Sequence, residues 1–200
     1  MNPTTVELKL PFLGQRTYLH GTTLFNALQG RFPGMRNIDF RLFTLIQSDR
    51  VAVEMLSPGA KRGREHSATL LATGGGAPLH VGVAPLEPSG AIAREPFDEG
   101  AIVGPARLLA DAGRIELDAP APFPFVTTVV ALHKALLLKA IASPPAGQWL
   151  FTRLELKHVP ETFGSLVLER RASLGLKLVR SDILVDSASV GSIYFSWWQQ

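Results

Sequence analysis

Alternating apolar and polar residues open the chain, and the same pattern returns near its middle. Residues 6–11 alternate and end at a proline, as a strand does, and residues 115–120 repeat this arrangement. A Thr-Thr pair follows each strand and opens an apolar stretch. We predict helices over 22–29 and over 127–141.

Both helices are followed by residues that would end them. Gly30 is expected to cap the first helix, and Pro144 with Pro145 to stop the second. The Gly74-Gly75-Gly76 run follows a strand but precedes Pro78 and another strand. It therefore predicts a turn, since a phosphate loop would lead into a helix.

Further strands follow the helix in each copy. The predicted strands are 37–46, 51–54, 67–73 and 79–84 in the first copy, and 149–159, 166–169, 174–179 and 183–198 in the second. Each half thus reads as a strand, a helix and about four strands. This shared order favours an internal duplication over a chance likeness of two β-rich halves.

The second helix is apolar around almost its whole circumference. His133, Lys134 and Lys139 are its polar interruptions, and they do not share one face. A helix of this kind is typically buried, and a curved antiparallel sheet wrapped around it is the simplest way to bury it. A membrane helix is the alternative, but the stretch is shorter than the ~18 apolar residues of a span and carries two lysines.

Composition narrows the class of protein. The 200 residues include 46% hydrophobic and 18% charged residues, the net charge is +3, and there is no Cys. Disorder, disulfides and thiolate chemistry are therefore excluded, and dedicated nucleic-acid binding is not expected from so small a net charge. We expect a cytoplasmic protein with no signal peptide and no membrane span. No cofactor is expected either, and the five His residues show no spacing typical of metal ligands.

The predicted organisation has three parts. Residues 1–84 form the N-terminal half, 85–114 a proline-interrupted connector, and 115–200 the C-terminal half. Within the connector, 105–112 is expected to form a short helix with Gly113 behind it. Neither half alone would cover so apolar a helix, so we expect both to pack as one unit.

A strand, a buried helix and a wrapping antiparallel sheet, present twice in one α+β chain, resemble the double hot-dog fold. The resemblance covers nearly the whole chain. It implies that each half is an antiparallel sheet wrapped around a central apolar helix. It also implies a protein acting on acyl groups carried by coenzyme A or acyl carrier protein, as thioesterases and β-hydroxyacyl dehydratases do.

Residues 20–28 can be laid over the motif that opens the central helix of the bacterial dehydratases. In this resemblance Gly21 matches the family glycine, and Asn26 falls at the position of the catalytic acid. Ala131 takes that position in the second half. The stretch around Phe12 has no counterpart of the family histidine, and neither helix holds the carboxylate that thioesterases use, so activity by the usual residues is not supported.

The start of the first helix is the strongest candidate site. The first backbone N–H groups of a helix have no partner within it and would polarise a thioester carbonyl. Gly21 would let a substrate approach closely, with Thr22 and Thr23 beside it. His20 would act as the base and Asn26 would hold a water or the carbonyl. The alternative is an ordinary helix cap, with Asn26 a satisfied polar residue.

The second helix offers weaker candidates for binding substrate. Thr127 and Thr128 open the predicted helix, where an N-cap pair is the favoured interpretation over catalytic hydroxyls. His133 lies among aliphatic residues. A core histidine with one hydrogen bond is favoured over a functional one.

Arg62 and Arg64 belong to a Lys61-Arg62-Gly63-Arg64 run after Pro58, expected in a hairpin loop. They would bind the phosphates of coenzyme A or meet an acidic carrier protein. A solvated turn is the favoured alternative. Weak binding of RNA or DNA through the same arginines is a third possibility.

The sequence thus predicts an acyl-thioester binding protein that holds the acyl chain between its two central helices. If it is an enzyme, thioester hydrolysis or a dehydratase-like step at a single degenerate site is expected. The alternative is a non-catalytic subunit that binds acyl or polyketide chains or serves as a scaffold. Exposed edge strands would permit a homo-oligomer.

Overall fold

The structure is a computed structural model that describes residues 5–57, 59–60, 62–119, 122–141, 146–175 and 177–198. The chain divides into two compact units, Met1–Phe97 and Asp98–Gln200. The boundary falls inside the predicted 85–114 connector. Each unit is described by itself below, as unit 1 and unit 2.

Unit 1 combines a helix with an antiparallel sheet. Its elements are β1 (Thr5–Lys9), β2 (Phe12–Leu13), α1 (Gly21–Arg31), β3 (Arg36–Leu42), β4 (Arg50–Met55), β5 (Ala68–Gly74), β6 (Ala77–Pro85) and β7 (Arg94–Glu95). The strands pair in the order β1-β4-β6-β5-β3. The short strands β2 and β7 form a separate parallel pair.

The described residues of unit 2 form two helices and a longer antiparallel sheet. Its elements are α2 (Glu99–Val103), β8 (Arg107–Leu109), β9 (Arg114–Leu117), α3 (Phe125–Ala140), β10 (Gln148–His158), β11 (Leu166–Ser173), β12 (Val179–Val185) and β13 (Ala188–Trp198). The strands pair in the order β8-β9-β11-β12-β13-β10.

The two units share their element order but not their strand order. Each contains a strand, a helix and four further strands in sequence. In unit 2 the strands β11, β12 and β13 are neighbours in sequence order, whereas in unit 1 β6 lies between β4 and β5. The shared order of elements therefore does not extend to the strand order, because the connection from β4 to β5 passes across β6 in unit 1.

Helix α1 buries one face. Leu24, Phe25 and Leu28 are fully buried, and the Phe25 ring meets the Phe40 ring of β3 edge-on at 5.4 Å. The helix continues through Gly30 and ends at Arg31, where the Phe32 N–H donates to the Leu28 carbonyl at 2.8 Å. The prediction that Gly30 caps it is wrong, since the Phe32 amide closes the last turn instead.

Helix α3 is buried along most of its length, as an all-round apolar sequence requires. It begins at Phe125, two residues earlier than predicted, with Pro124 at the N-cap, and it contacts α2, β9, β10 and β11. Pro144 and Pro145 lie outside the described residues. Within the described ranges, no helix is long and apolar enough to cross a membrane.

The helix expected over 105–112 is not present. The short helix of this region, α2, lies earlier, because the Asp98 carboxylate caps it by accepting the N–H groups of Gly100 and Ala101 at 2.8 and 3.3 Å. Strand β8 occupies Arg107–Leu109. The capping residue therefore decides which part of the segment is helical.

Of the predicted turns and strands, the glycine turn at 74–76 is found, whereas the strands expected over 174–179 and 183–198 differ from the structure. Gly75 and Gly76 adopt φ of +55° and +81° in the β5–β6 hairpin, so the predicted glycine turn is confirmed. In place of the strand expected over 174–179, β12 begins only at Val179, and the Leu174 N–H donates to the Leu178 carbonyl at 2.8 Å between β11 and β12. The β12–β13 turn was missed because Asp186 and Ser187, rather than glycine, adopt positive φ there.

Candidate functional site

His20 stands at the N-cap of α1 in extended conformation, with φ −71° and ψ 138°. Its carbonyl accepts the first helical hydrogen bond, from the Leu24 N–H at 3.2 Å. Its ring Nδ1 lies 2.7 Å from the Thr22 hydroxyl oxygen. His20 is half-buried and Thr22 is 1% exposed, so the hydroxyl fixes one edge of the ring at the helix start.

Two aromatic rings flank the His20 ring. The centroid of Tyr18 lies 6.5 Å away and that of Phe97 6.4 Å away. The Arg16 guanidinium carbon lies 5.1 Å from the Phe97 centroid, in cation–π contact. Sequence reasoning missed all three neighbours, and for Phe97 no local signal exists, because it comes from the far end of unit 1.

The loop before His20 is held by a second arginine. Arg94 Nη1 donates to the carbonyl oxygens of Gly14 and Arg16, both at 2.9 Å. Gly14 turns this loop with φ +55°. The Leu19 N–H donates to the Ile46 carbonyl at 2.8 Å. These contacts fix the backbone on which His20 is mounted.

The remaining α1 candidates lie within the first two turns. Thr22 and Asn26 are four residues apart, so they share one side of the helix, and Asn26 is half-buried. Thr23 points elsewhere, and its hydroxyl has no hydrogen-bond partner in the described part of the chain. The structure thus brings His20, Thr22 and the first helical N–H groups together, with Asn26 one turn further on.

Thr127 and Thr128 lie inside the first turn of α3 and do not cap it. The Thr128 N–H and hydroxyl both donate to the Pro124 carbonyl, at 3.0 and 3.3 Å. The N-cap interpretation is wrong, because the helix starts before the pair and Pro124 takes that position. Both threonine side chains are buried.

His133 is completely buried in unit 2. Its Nε2 lies 2.8 Å from the Ser181 hydroxyl, and the Phe195 ring meets it edge-on at 4.7 Å. Burial lowers the pKa of His133 to about 3, so the ring is neutral at pH 7. These contacts agree with the core-histidine alternative.

Arg62 and Arg64 lie on the connection between β4 and β5. The expected hairpin is wrong, because β6 separates those two strands. Arg62 stacks 4.0 Å from the Phe43 centroid and its Nη1 donates to the His66 carbonyl at 3.1 Å. Arg64 is exposed. Pro58 and Lys61 lie outside the described residues.

A metal site is not formed by the described residues, since no three His, Cys, Asp or Glu side chains converge there.

No family model and no curated protein sequence matches this chain. Among solved structures, a thioesterase II from Thermobifida fusca YX is similar, with 15% identity and a TM-score of 0.51 over 100% of this chain and 93% of that one. The 12:0-ACP thioesterase from Umbellularia californica has 11% identity and a TM-score of 0.47, over 99% of this chain and 98% of that one. The dehydratase domain of RzxB from Pseudomonas fluorescens has 12% identity and a TM-score of 0.46, over 96% of this chain and 94% of that one.

The likeness to the Thermobifida protein shows that this chain has a hot-dog fold. The resemblance inferred from the sequence is confirmed at that level. At 15% identity the likeness concerns the fold, so the chemistry has to be argued from the residues of this chain.

Proposed function

We propose that this chain binds acyl thioesters of coenzyme A or acyl carrier protein at the start of α1, and that its two units are the halves of a double hot-dog. The thioesterase and dehydratase structures similar to it support the general kind of ligand. The common element order of the units supports the duplication. The observation that carries the site is the 2.7 Å contact between His20 Nδ1 and the Thr22 hydroxyl at a helix N-terminus.

Thioester hydrolysis is the reaction that fits this arrangement best. The thioester carbonyl oxygen would lie against the N–H groups of Gly21 and Thr22, which stabilise the developing oxyanion. With Nδ1–H donated to Thr22, Nε2 of His20 takes a proton from water as the water oxygen attacks the carbonyl carbon. Collapse of the tetrahedral intermediate breaks the carbon–sulfur bond, and the leaving thiolate receives the proton from Nε2 of His20. The products are a carboxylic acid and a thiol.

The other candidate residues have subsidiary roles in this proposal. The Asn26 amide orients the attacking water, whereas Thr23 is given no part in the chemistry. Arg62 and Arg64 would meet the phosphates of the carrier from their loop in unit 1. In unit 2, the side chains of Thr127, Thr128 and His133 are buried, so the proposal gives them no role in binding substrate.

A dehydratase-like step is the second enzymatic candidate. Nε2 of His20 would remove the α-proton, but the departing hydroxyl also needs a proton donor. Neither α1 nor α3 contains Asp or Glu, and Asn26 is not an acid. Hydrolysis, which needs one base, is therefore favoured.

The absence of carboxylates from both helix sequences also favours a non-enzymatic alternative. A binding or scaffold subunit would retain the acyl thioester without turning it over. Native mass spectrometry of the purified protein would then show bound lipid or acyl-CoA that persists during incubation.

The test is turnover of a panel of acyl-CoA substrates by the wild type, His20→Ala and Asn26→Ala. We expect His20→Ala to lower kcat/KM by about 10²–10⁴-fold, the usual contribution of a general base, and Asn26→Ala to lower it less. His158→Ala, at an exposed position in unit 2, is the matched control. If both site variants turn over substrate at the wild-type rate, His20 and Asn26 have no part in the mechanism. If the wild type retains bound ligand but shows no turnover, the protein is a binding subunit and not an enzyme.

A further inference from the structure

The chain has two tyrosines, and their hydroxyl groups differ in their hydrogen bonding. Tyr194 of unit 2 donates its hydroxyl to Glu155 Oε2 at 2.6 Å. Tyr18 of unit 1 is half-buried, and within the described part of the chain its hydroxyl has no hydrogen-bond partner. A phenol can both donate and accept, so the Tyr18 hydroxyl retains its full capacity to bind a ligand.

Tyr18 and His20 lie on the same side of the segment that leads into α1. Leu19 stands between them, pairs with Ile46 in an antiparallel bridge and is 4% exposed. Because neighbouring side chains of an extended segment alternate, those of Tyr18 and His20 both point to the side opposite Leu19. Their ring centroids are 6.5 Å apart. The phenol therefore stands beside the imidazole at the start of the helix.

Hydrogen bonds fix the backbone on both sides of Tyr18. Before it, the Arg16 carbonyl accepts a hydrogen bond from Arg94 Nη1 at 2.9 Å. After it, the Leu19 N–H donates to the Ile46 carbonyl at 2.8 Å. Two distant parts of unit 1 thus hold one short segment in place. A side chain mounted on such a segment loses little further conformational freedom when it binds a ligand.

We propose that Tyr18 assists departure of the thiol at the α1 site, by donating a hydrogen bond from its hydroxyl to the thioester sulfur. This inference rests on the proposed hydrolysis at His20 and adds a second catalytic side chain to it. In that proposal the carbonyl oxygen lies against the N–H groups of Gly21 and Thr22. With the two rings side by side, the imidazole serves the attacked carbon and the phenol serves the sulfur bonded to that carbon.

The hydrogen bond from Tyr18 acts when the tetrahedral intermediate breaks down. As the carbon–sulfur bond breaks, its electron pair moves to sulfur, and the Tyr18 O–H stabilises the negative charge that forms there. The phenol keeps its own proton. The thiolate then receives the proton from Nε2 of His20, so the step needs no further reactant. A leaving group that is already stable as a thiolate needs this hydrogen bond less.

The dependence of the rate on the leaving group tests this role. The substrates are the octanoyl thioesters of N-acetylcysteamine, thiophenol and 4-nitrothiophenol, which share one acyl group and differ in the stability of the thiolate. For Tyr18→Phe, we expect kcat to fall about 10- to 100-fold with N-acetylcysteamine, as for a lost hydrogen bond to a charged group, and less than about threefold with 4-nitrothiophenol. Tyr194→Phe, which lacks the other tyrosine hydroxyl, should match the wild type with all three.

Isotope exchange separates breakdown of the intermediate from attack by water. In ¹⁸O-labelled water, slower breakdown gives the intermediate more time to return to thioester. Thioester recovered from Tyr18→Phe should therefore contain more ¹⁸O than thioester recovered from the wild type at equal conversion. Urea unfolding of both proteins should agree, since the hydroxyl has no partner in the described fold. A lower stability of Tyr18→Phe would mean that the hydroxyl serves the fold, which contradicts the proposal.

Failure of this inference can be distinguished from failure of the proposed hydrolysis. If the wild type hydrolyses none of the three thioesters, the proposed hydrolysis is wrong and the role of Tyr18 falls with it. If the wild type hydrolyses them and Tyr18→Phe slows all three equally without added ¹⁸O exchange, the ring contacts substrate but does not donate to sulfur. Unchanged rates and unchanged exchange in Tyr18→Phe also overturn the role of Tyr18, and they leave that of His20 intact.

Discussion

Ser89 donates both its backbone N–H and its hydroxyl to the carboxylate of Asp49. The N–H reaches Oδ1 at 2.9 Å and the hydroxyl reaches Oδ2. Asp49 directly precedes β4, and its carbonyl accepts the Leu10 N–H at 2.7 Å. The Leu86 N–H donates to the Arg50 carbonyl at 3.0 Å. Asp49 therefore joins the residues after β1, before β4 and after β6.

This contact predicts a loss of stability in acid. The Ser89 hydroxyl, then its N–H, lower the pKa of Asp49, with a contribution from the charge of Lys9. Because the folded pKa lies below the unfolded value of about 3.9, the stabilisation is present above that pH and is lost as pH falls through the folded pKa. In urea titrations, Asp49→Asn should be less stable than wild type at pH 7, and the difference should shrink below about pH 4.

The matched control for Asp49→Asn is Asp111→Asn, at an exposed turn position in unit 2. It should show no comparable pH-dependent difference. If Asp49→Asn and the wild type differ by the same amount at pH 3 and at pH 7, ionisation of Asp49 does not contribute to the fold.

His133 predicts a pH dependence with a different window. Its folded pKa of about 3 lies below the unfolded value of about 6.5, because burial disfavours the charged ring. The unfolded chain therefore binds a proton that the folded chain does not, and stability falls as pH drops from about 6.5 towards 3. The slope from this group approaches about 1.4 kcal/mol per pH unit. Urea unfolding between pH 4 and 8 measures it.

The variant for this measurement has to remove both members of the buried pair. His133→Leu alone would leave the Ser181 hydroxyl without its partner, so we expect the double variant His133→Leu with Ser181→Ala to be the informative one. It should lose this component of the slope, while His158→Leu should keep it. An unchanged slope in the double variant would show that His133 is not the responsible group.

The close contact of His66 with Gly82 predicts a non-additive pair of substitutions. Gly82→Ala places a methyl group 2.6 Å from the ring and should cost about 1–3 kcal/mol, the usual range for overpacking. Combining it with His66→Ala removes the clash, so the double variant should lose less stability than the sum of the single variants. Denaturant unfolding of the four proteins measures the coupling. Additive losses would mean that the ring does not fill the space above Gly82.

The parts of the fold that sequence predicts are those encoded by local patterns. The all-round apolar sequence around Val129–Leu132 predicts a buried helix, and the apolar run that ends at Glu54 predicts β4 to within a residue at each end. The position of β6 between β4 and β5 is not encoded this way. Alternation assigns residues to a face of a strand, but it does not say which strand lies alongside.

The same distinction between local patterns and tertiary contacts applies to the candidate site. His20 and Thr22 were identified because a helix start is a local feature, and they are only two residues apart in the sequence. Phe97 reaches His20 only through the two-residue pairing of β2 with β7, and Arg94 through carbonyl groups of a loop 80 residues earlier. Such contacts depend on tertiary structure, so a single sequence gives no sign of them.

The hydroxyl of Thr22 provides the sharpest test of how His20 is positioned. Thr22→Val removes the group that lies 2.7 Å from Nδ1 while keeping the shape of the side chain. If the proposed hydrolysis is correct, kcat should fall by roughly three- to tenfold, KM should change little, and the pH–rate profile should shift, because the ring loses the contact that fixes its orientation. Steady-state kinetics on one acyl-CoA across pH 5–9 give all three quantities.

Thr22→Ser and Thr23→Val are the matched comparisons for this variant. Thr22→Ser keeps the hydroxyl and should restore most of the rate. Thr23→Val makes the same chemical change one residue later, at a hydroxyl with no partner among the described residues, and should leave the pH–rate profile unchanged. Equal effects of the two valine substitutions would mean that the Thr22 hydroxyl serves the helix and not the imidazole, and His20 would then lack the partner on which its proposed role as base depends.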